Sequence, residues 1–350
     1  MALTVNVPAD VLNNITNSVM DFHIKGPAFS QTIQAKPLLG AFEKRKKTFP
    51  GGKQYITENV KGEYSCRVEG FQYDDIVTFT NPANIKQARY EWKSLHEGIT
   101  FTDDELTTAG ITISDTMSGS NPRRLSQAET VVITDLLDDK LEDMTESWAR
   151  GINDILWRDG TQDAKVFPGL RYFLTNTVTT GVIGGVDRAA NSWWRNRVSL
   201  AIVASTTSQT LTRTLQAEAR QLRRFSTNPN FLILCGSSFL ADLELELHEK
   251  GNYTQTGFAN AGKNDIGIAQ ISQKELGDFQ YDPTLDDLSL GDYCFVIDLN
   301  AFRLRPIEGE DKKQHTPARP YNQFAYHRSM TWKGALTARQ LNSSGVYSTT

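Results

Sequence analysis

The sequence has little of what staples, anchors or catalyses. Its three cysteines, Cys66, Cys235 and Cys294, stand far apart with no C-x-x-C spacing, which argues against a disulfide framework and a zinc site and fits synthesis in a reducing cytosol. No run approaches the ~20 apolar residues of a membrane span. The opening MALTVNVPAD lacks the basic region and apolar run of a secretory signal, so the sequons at Asn14 and Asn252 carry no meaning. Positive charge is not in excess: 37 Lys and Arg against 41 Asp and Glu leave a net charge of -4. Phosphate-led DNA binding needs a clustered cationic excess, and the composition speaks against it. Internal repeats and low-complexity tracts are absent too.

Catalytic motifs are incomplete wherever they begin. Gly257 to Asn264, GFANAGKN, meets the P-loop pattern G-x-x-x-x-G-K-[ST] except at its last position, where a hydroxyl would hold Mg²⁺. The stretch is also followed by strand-like residues 266 to 271, where a P-loop opens a helix. A loop is the better reading; a nucleotide hydrolase using Gly262 and Lys263 is the alternative from a different class. FLILCGSS, 231 to 238, offers a serine after a strand without G-x-S-x-G. His248-Glu249 is not followed by a zincin's second histidine. The histidines, His23, His96, His248, His315 and His327, are scattered. Asp282, Asp286 and Asp287 are too loosely spaced for an EF-hand loop. No catalytic residue, metal or cofactor is expected.

What the chain does have is length and pattern. With 350 residues it can hold one large or two ordinary domains. Leu12, Ile15, Val19 and Phe22 recur at helical spacing behind Pro8 and Asp10, which predicts a short N-terminal helix that packs on other parts or other copies. Lys53 to Val60 and Glu63 to Phe71 flank Lys61-Gly62 and predict a hairpin, with Ile85 to Trp92 a further strand. Ahead of them Lys44, Arg45, Lys46, Lys47 and Lys53 surround Pro50-Gly51-Gly52.

The clearest element is a helix from Ser126 to about Asp159. Ser126 and Glu129 form a capping box. Val132, Leu136, Leu141, Met144, Trp148, Ile152 and Ile155 make an apolar stripe, and Gly160 supplies a left-handed stop. Its other face is acidic, with Asp138, Asp139 and Glu142 among the carboxylates. Helix (about 209 to 225), strand (231 to 235) and helix (from Ser237 or Ser238 to Gly251) then alternate, as in a mixed α/β domain. Strands return at 293 to 299, 302 to 307 and 324 to 341.

Between Gly181 and Arg197 lies GVIGGVDRAANSWWRNR. Gly184 and Gly185 permit backbone angles closed to other residues. Asp187 beside Arg188 can hydrogen-bond a neighbouring chain with fixed geometry. Successive helical residues point about 100° apart, so Trp193 and Trp194 cannot both serve one core: one is expected to face inward and the other a partner. The alternative is a surface turn leading into an amphipathic helix, with both rings partly buried.

This stretch, following a long acidic helix, resembles the signature of tailed-bacteriophage major capsid proteins. The resemblance implies an α+β, HK97-type capsid fold: an N-terminal arm (1–43), an E-loop hairpin (44–102), a P-domain with a long spine helix on a sheet (103–165, helix 126–159), a mixed α/β A-domain (166–299) and C-terminal strands returning to the P-domain (300–350). It further implies a structural protein that self-assembles through pentamers and hexamers into an icosahedral head around double-stranded DNA, which such a shell has reason not to grip. A separate scaffolding protein, a portal and a decoration protein are the partners implied, the virion is the destination, and assembly takes place in the bacterial cytoplasm. An encapsulin-like compartment is the alternative within the structural class. On this reading Lys44 to Lys47 with Lys53 form an E-loop tip that docks on Asp138, Asp139 and Glu142 of an adjacent copy.

Overall fold

The computed structural model describes residues 5–8, 36–102, 104–105, 111–114, 127–249 and 271–350, apart from positions 65, 78, 80–83, 227–229, 274 and 316–324. In chain order the elements are β1 (Val5–Pro8), α1 (Pro37–Lys44), β2 (Tyr55–Lys61), β3 (Ile85–Glu91), β4 (Lys93–Thr102), β5 (Ile111–Ser114), α2 (Gln127–Trp157), α3 (Leu170–Phe173), β6 (Val182–Ile183), β7 (Val186–Asp187), a 3-10 turn (Ser192–Trp194) and β8 (Arg197–Ile202). There follow α4 (Thr210–Phe225), β9 (Phe231–Cys235), α5 (Ser237–Glu249), β10 (Ser272–Gln273), β11 (Gly277–Tyr281), α6 (Pro283–Asp287), β12 (Tyr293–Asp298), β13 (Phe302–Pro306), β14 (Lys313–His315), β15 (Ala325–Ala338) and β16 (Gly345–Thr349). The predicted N-terminal helix around Leu12 to Phe22 lies outside the described residues.

The chain divides into two units. One comprises residues 1–40, 93–154 and 306–334, the other 41–92, 155–305 and 335–350.

In the first unit β15 pairs antiparallel with β4, from Gly334 opposite Lys93 to Ala325 opposite Thr102, and β14 lies on its other side. Alternate side chains of a strand share a face, and the register places Met330 and Trp332, both buried, beside Glu97 and Leu95. Leu141, Met144, Trp148 and Ile152 of α2 are the buried stripe of the helix. Lys140 ties that helix to β4: its ammonium donates to the Thr100 carbonyl (3.1 Å) and the Glu105 carboxylate (2.6 Å) and stands 5.0 Å from the Phe101 ring centre. At 31 residues α2 is about 46 Å long at 1.5 Å per residue. It stops at Trp157, two residues short of the predicted end, and Gly160 at φ +86° leads the chain away. Ser126, the predicted cap, lies outside the described residues. Gly169 approaches the last turn so closely that a Cβ there would lie 2.3 to 2.6 Å from the carbonyl oxygens of Ile155, Leu156 and Arg158.

The second unit is built on a six-stranded mixed sheet of order β10-β11-β9-β12-β16-β8. Leu211, Leu215 and Leu222 of α4 and Phe239 and Leu243 of α5 cover Ile233, Cys235, Val296 and Tyr347, which bears out the α/β alternation. Trp157 is buried in this unit; its indole N–H donates to Asp282 Oδ2 (3.0 Å) and its ring lies 5.0 Å from that of Phe295. The other Asp282 oxygen caps α6 at Thr284 N–H, while Asp286 accepts from Ser237 N–H and the Tyr281 hydroxyl, so these carboxylates have structural work.

Two expectations need correction. The described residues of 63–71 are not a strand: β2 pairs with β3, Tyr55 opposite Glu91 and Lys61 opposite Ile85, and the inward face of β2, Ile56 and Glu58, stands opposite the buried Tyr90 and Ala88 of β3. The C-terminal residues also do not return together. Residues 306–334 belong to the first unit, whereas β16 lies in the six-stranded sheet between β12 and β8, where its five residues are buried.

Candidate assembly surface

The hairpin of β2 and β3 is anchored along its length. Glu58 points inward, buried, and is gripped by Arg305 and by Arg339, whose Nε donates to Oε2 at 2.8 Å. A buried carboxylate is tolerated when opposite charge and donors surround it. The Tyr90 hydroxyl donates to the Ala338 carbonyl (2.9 Å), and the Trp92 indole to that of Lys53 (3.0 Å).

The signature stretch supplies the remaining anchors. The Gly184 carbonyl accepts from Arg89 N–H (2.9 Å), the Asn191 side chain accepts from the Lys86 ammonium (2.7 Å), and Trp193 packs on Gly62. Gly184 sits at φ +61° against Ala88 and Tyr90, where an added Cβ would lie 3.1 Å from both. The predicted need for glycine here is real, and its reason is a close approach to the hairpin. Sequence reasoning missed that partner, since nothing local in 181–197 names residues 86–90.

The two tryptophans separate as expected in one respect. Trp194 is fully buried, with its N–H donating to the Ile183 carbonyl at 3.1 Å. Trp193 is half-buried, edge-on to it at 5.8 Å, and lines a cleft of about 850 Å³ with Val60, Tyr64, Arg195, Phe225 and Arg339. Asp187 and Arg188 go separate ways, against expectation. Asp187 is exposed and accepts from Ala189 N–H (2.9 Å). Arg188 is buried, donating to the side chains of Thr175 and Asn196. Burial, then repulsion from Arg195, lowers its pKa to about 10. It braces its own chain and is not free to bond a neighbour.

The basic block is likewise not at the hairpin tip. Lys44 ends α1; Arg45 Nη1 donates to Asn300 Oδ1 (2.7 Å), Lys46 pairs with Glu43 (3.1 Å), and Lys47 N–H bonds the Leu304 carbonyl (3.0 Å). Helix geometry and pairing to the β12–β13 region hold these residues beside Arg303; Lys53 lies just before β2, exposed. The side chains of Asp138, Asp139 and Glu142 lie outside what the structure describes, as does the P-loop-like 257–264.

The tip is residues 62–84, and its chemistry is apolar and acidic. Val68, Tyr73, Ile76 and Phe79 are 94 to 106% exposed, and Tyr64 and Phe71 stand out beside them. Among the described residues, seven of the fourteen exposed large hydrophobic side chains lie between 64 and 79. Scattered exposed apolar residues need no explanation, but a concentration of this kind marks a surface meant to be covered. The segment's charges are Glu63, Arg67, Glu69, Asp74 and Asp75. Among the described residues there is no cluster of metal-ligating side chains and no helix long and apolar enough to cross a membrane.

No protein-family model and no curated protein matches the sequence. Solved structures do match. A chain of the cyanophage A-1(L) capsid superimposes with a TM-score of 0.64 at 14% identity, covering 89% of this chain and 92% of its own. The capsid of a native GTA particle gives 0.56 at 9% identity over 88% of this chain and 89% of that one, and the capsid of the empty particle 0.53 with the same identity and coverage. The chain has the mixed α/β fold of these capsid proteins.

Proposed function

We propose that the protein is a structural major capsid protein of a tailed bacteriophage, assembling through pentamers and hexamers into an icosahedral head around double-stranded DNA. The observation that carries the reading is the exposed apolar segment 64–79 on a chain that shares a capsid fold over nearly nine-tenths of its length. A lone two-stranded hairpin is marginal in water; one that carries Tyr73, Ile76 and Phe79 into solvent gains most when another copy covers it. On this reading β2–β3 with its tip is the E-loop, α2 the spine helix, its sheet of β4, β14 and β15 the P-domain, the six-stranded sheet with α4 and α5 the A-domain, and the residues before 36 the N-terminal arm. Trp193 and its cleft face a neighbouring subunit. The role is structural and not enzymatic, the destination is the virion, and scaffolding, portal and decoration proteins are its natural partners.

Electron microscopy of the purified protein, alone and co-expressed with its scaffold, tests the proposal. Closed shells are expected from the wild type. Phe71→Ser, Tyr73→Ser and Ile76→Ser combined should give folded protein that remains as small oligomers. Strictly monomeric wild-type protein at high concentration, scaffold present, overturns it.

A further inference from the structure

Helix α4 buries Leu211, Leu215, Ala219 and Leu222 and turns the opposite face to solvent. That face carries Arg213, Arg220, Arg223 and Arg224, all exposed. Spacings of three, four and seven residues place them on one side of the helix, along about 16 Å at 1.5 Å per residue. The helix has one acid, Glu218, which is turned to the flank with both oxygens held by Arg197 at 2.8 and 2.6 Å. Glu275 borders the hollow beside Arg220. Among the described residues no carboxylate pairs with any of the four arginines; the Arg224 guanidinium lies 5.5 Å over the Phe225 ring. A chain of net charge -4 thus gathers four unneutralised cations on one short rod.

The face also lacks what a protein partner would need. Interfaces between proteins are built around an apolar core, and between these arginines stand Gln216, Ala217 and Gln221, with Phe225 only at the far end. Guanidinium groups match phosphate oxygens in bidentate geometry. Duplex DNA presents one negative charge per about 1.7 Å of its axis, so a row of this length meets several phosphates at once. We infer that the arginine face of α4 binds the phosphate backbone of nucleic acid without regard to base sequence. The inference rests on the helix and its charges and does not depend on shell formation.

Fluorescence anisotropy of the full-length protein with a labelled short DNA duplex, between about 50 and 200 mM salt, tests it. Four phosphate contacts predict a log K against log salt slope of about -3.6, a loss of about 150-fold over that range. Arg220→Gln with Arg224→Gln should reduce the slope to about -1.8 and the loss to about 12-fold. Both side chains face solvent and Gln is a good helix former, so the thermal midpoint should not move. Arg220→Lys with Arg224→Lys should keep the slope. Absence of binding at the lowest salt, or wild-type affinity and slope in the double Gln variant, overturns the inference. Equal competition by polyglutamate and by unlabelled DNA at matched charge overturns it too, pointing to an acidic protein segment as the partner.

Discussion

Trp193 packs so closely on Gly62 that a Cβ added there would stand 2.9 Å from both Cε2 and Nε1 of the indole. One aromatic ring of the signature and one glycine just past the end of β2 therefore share a contact that admits no further atom. Gly62→Ala should cost about 1–3 kcal/mol in overpacking, measured by urea unfolding, and should alter tryptophan emission. In a Trp193→Ala background the same change should cost almost nothing, which is the coupling that a double-mutant cycle isolates. Equal costs in both backgrounds would show that the two residues do not interact.

The adjacent tryptophans should fail differently. Trp194→Ala empties a fully buried site and should cost about 3–5 kcal/mol, leaving little soluble protein. Trp193→Ala should leave a folded subunit that assembles poorly, because its ring is half-buried on an open cleft. Comparable shell yields from both variants, each at the wild-type level, would refute the division of labour.

Glu246 is buried and receives the backbone N–H groups of Ser205, Leu211 and Thr212 and the Thr212 hydroxyl at 2.9 to 3.0 Å. Burial pushes its pKa up, but these donors more than reverse the push and hold it below the usual carboxylate value. A lowered folded-state pKa contributes stability that is present above the unfolded value and lost as pH falls through the folded one. Glu246→Gln should therefore destabilise at neutral pH, by about 1.5–3 kcal/mol for hydrogen bonds to a charged group, and the gap to wild type should close in acid. A constant gap across pH would show that ionisation is not involved.

Glu97 behaves in the opposite sense. Burial, then the nearby charge of Asp143, pushes its pKa up to about 7, and its Oε2 has no hydrogen-bond partner. Its contribution is complete below the ordinary carboxylate value and disappears as pH rises through about 7. Glu97→Gln should raise stability at pH 8 relative to wild type and flatten the pH profile between those limits. Thermal melts across the range check this; a profile unchanged by the substitution would exclude Glu97 as the titrating group.

Local periodicity made much of this protein legible. The stripe Leu141, Met144, Trp148 and Ile152, the buried face of α4 and the apolar run 231–235 all lie where the sequence placed them, and the inward and outward tryptophans were separable because a helical step sends adjacent side chains in different directions. These features depend on residues within one or two turns of each other, and burial of one face imprints itself on the order of side chains. Only the tertiary structure decided which strand β2 would choose, that β16 would lie beside β12, that Arg188 would be buried, and that the hairpin would rest on Gly184, Asn191 and Trp193. Such pairings join residues tens to hundreds of positions apart, and alternating apolar residues fit many partners equally well until one shape accepts them. Charge divides the same way: the helical period of residues 210–225 already sets Arg213, Arg220, Arg223 and Arg224 on the face opposite the leucines, while only folding turns the one acid of their helix aside to Arg197.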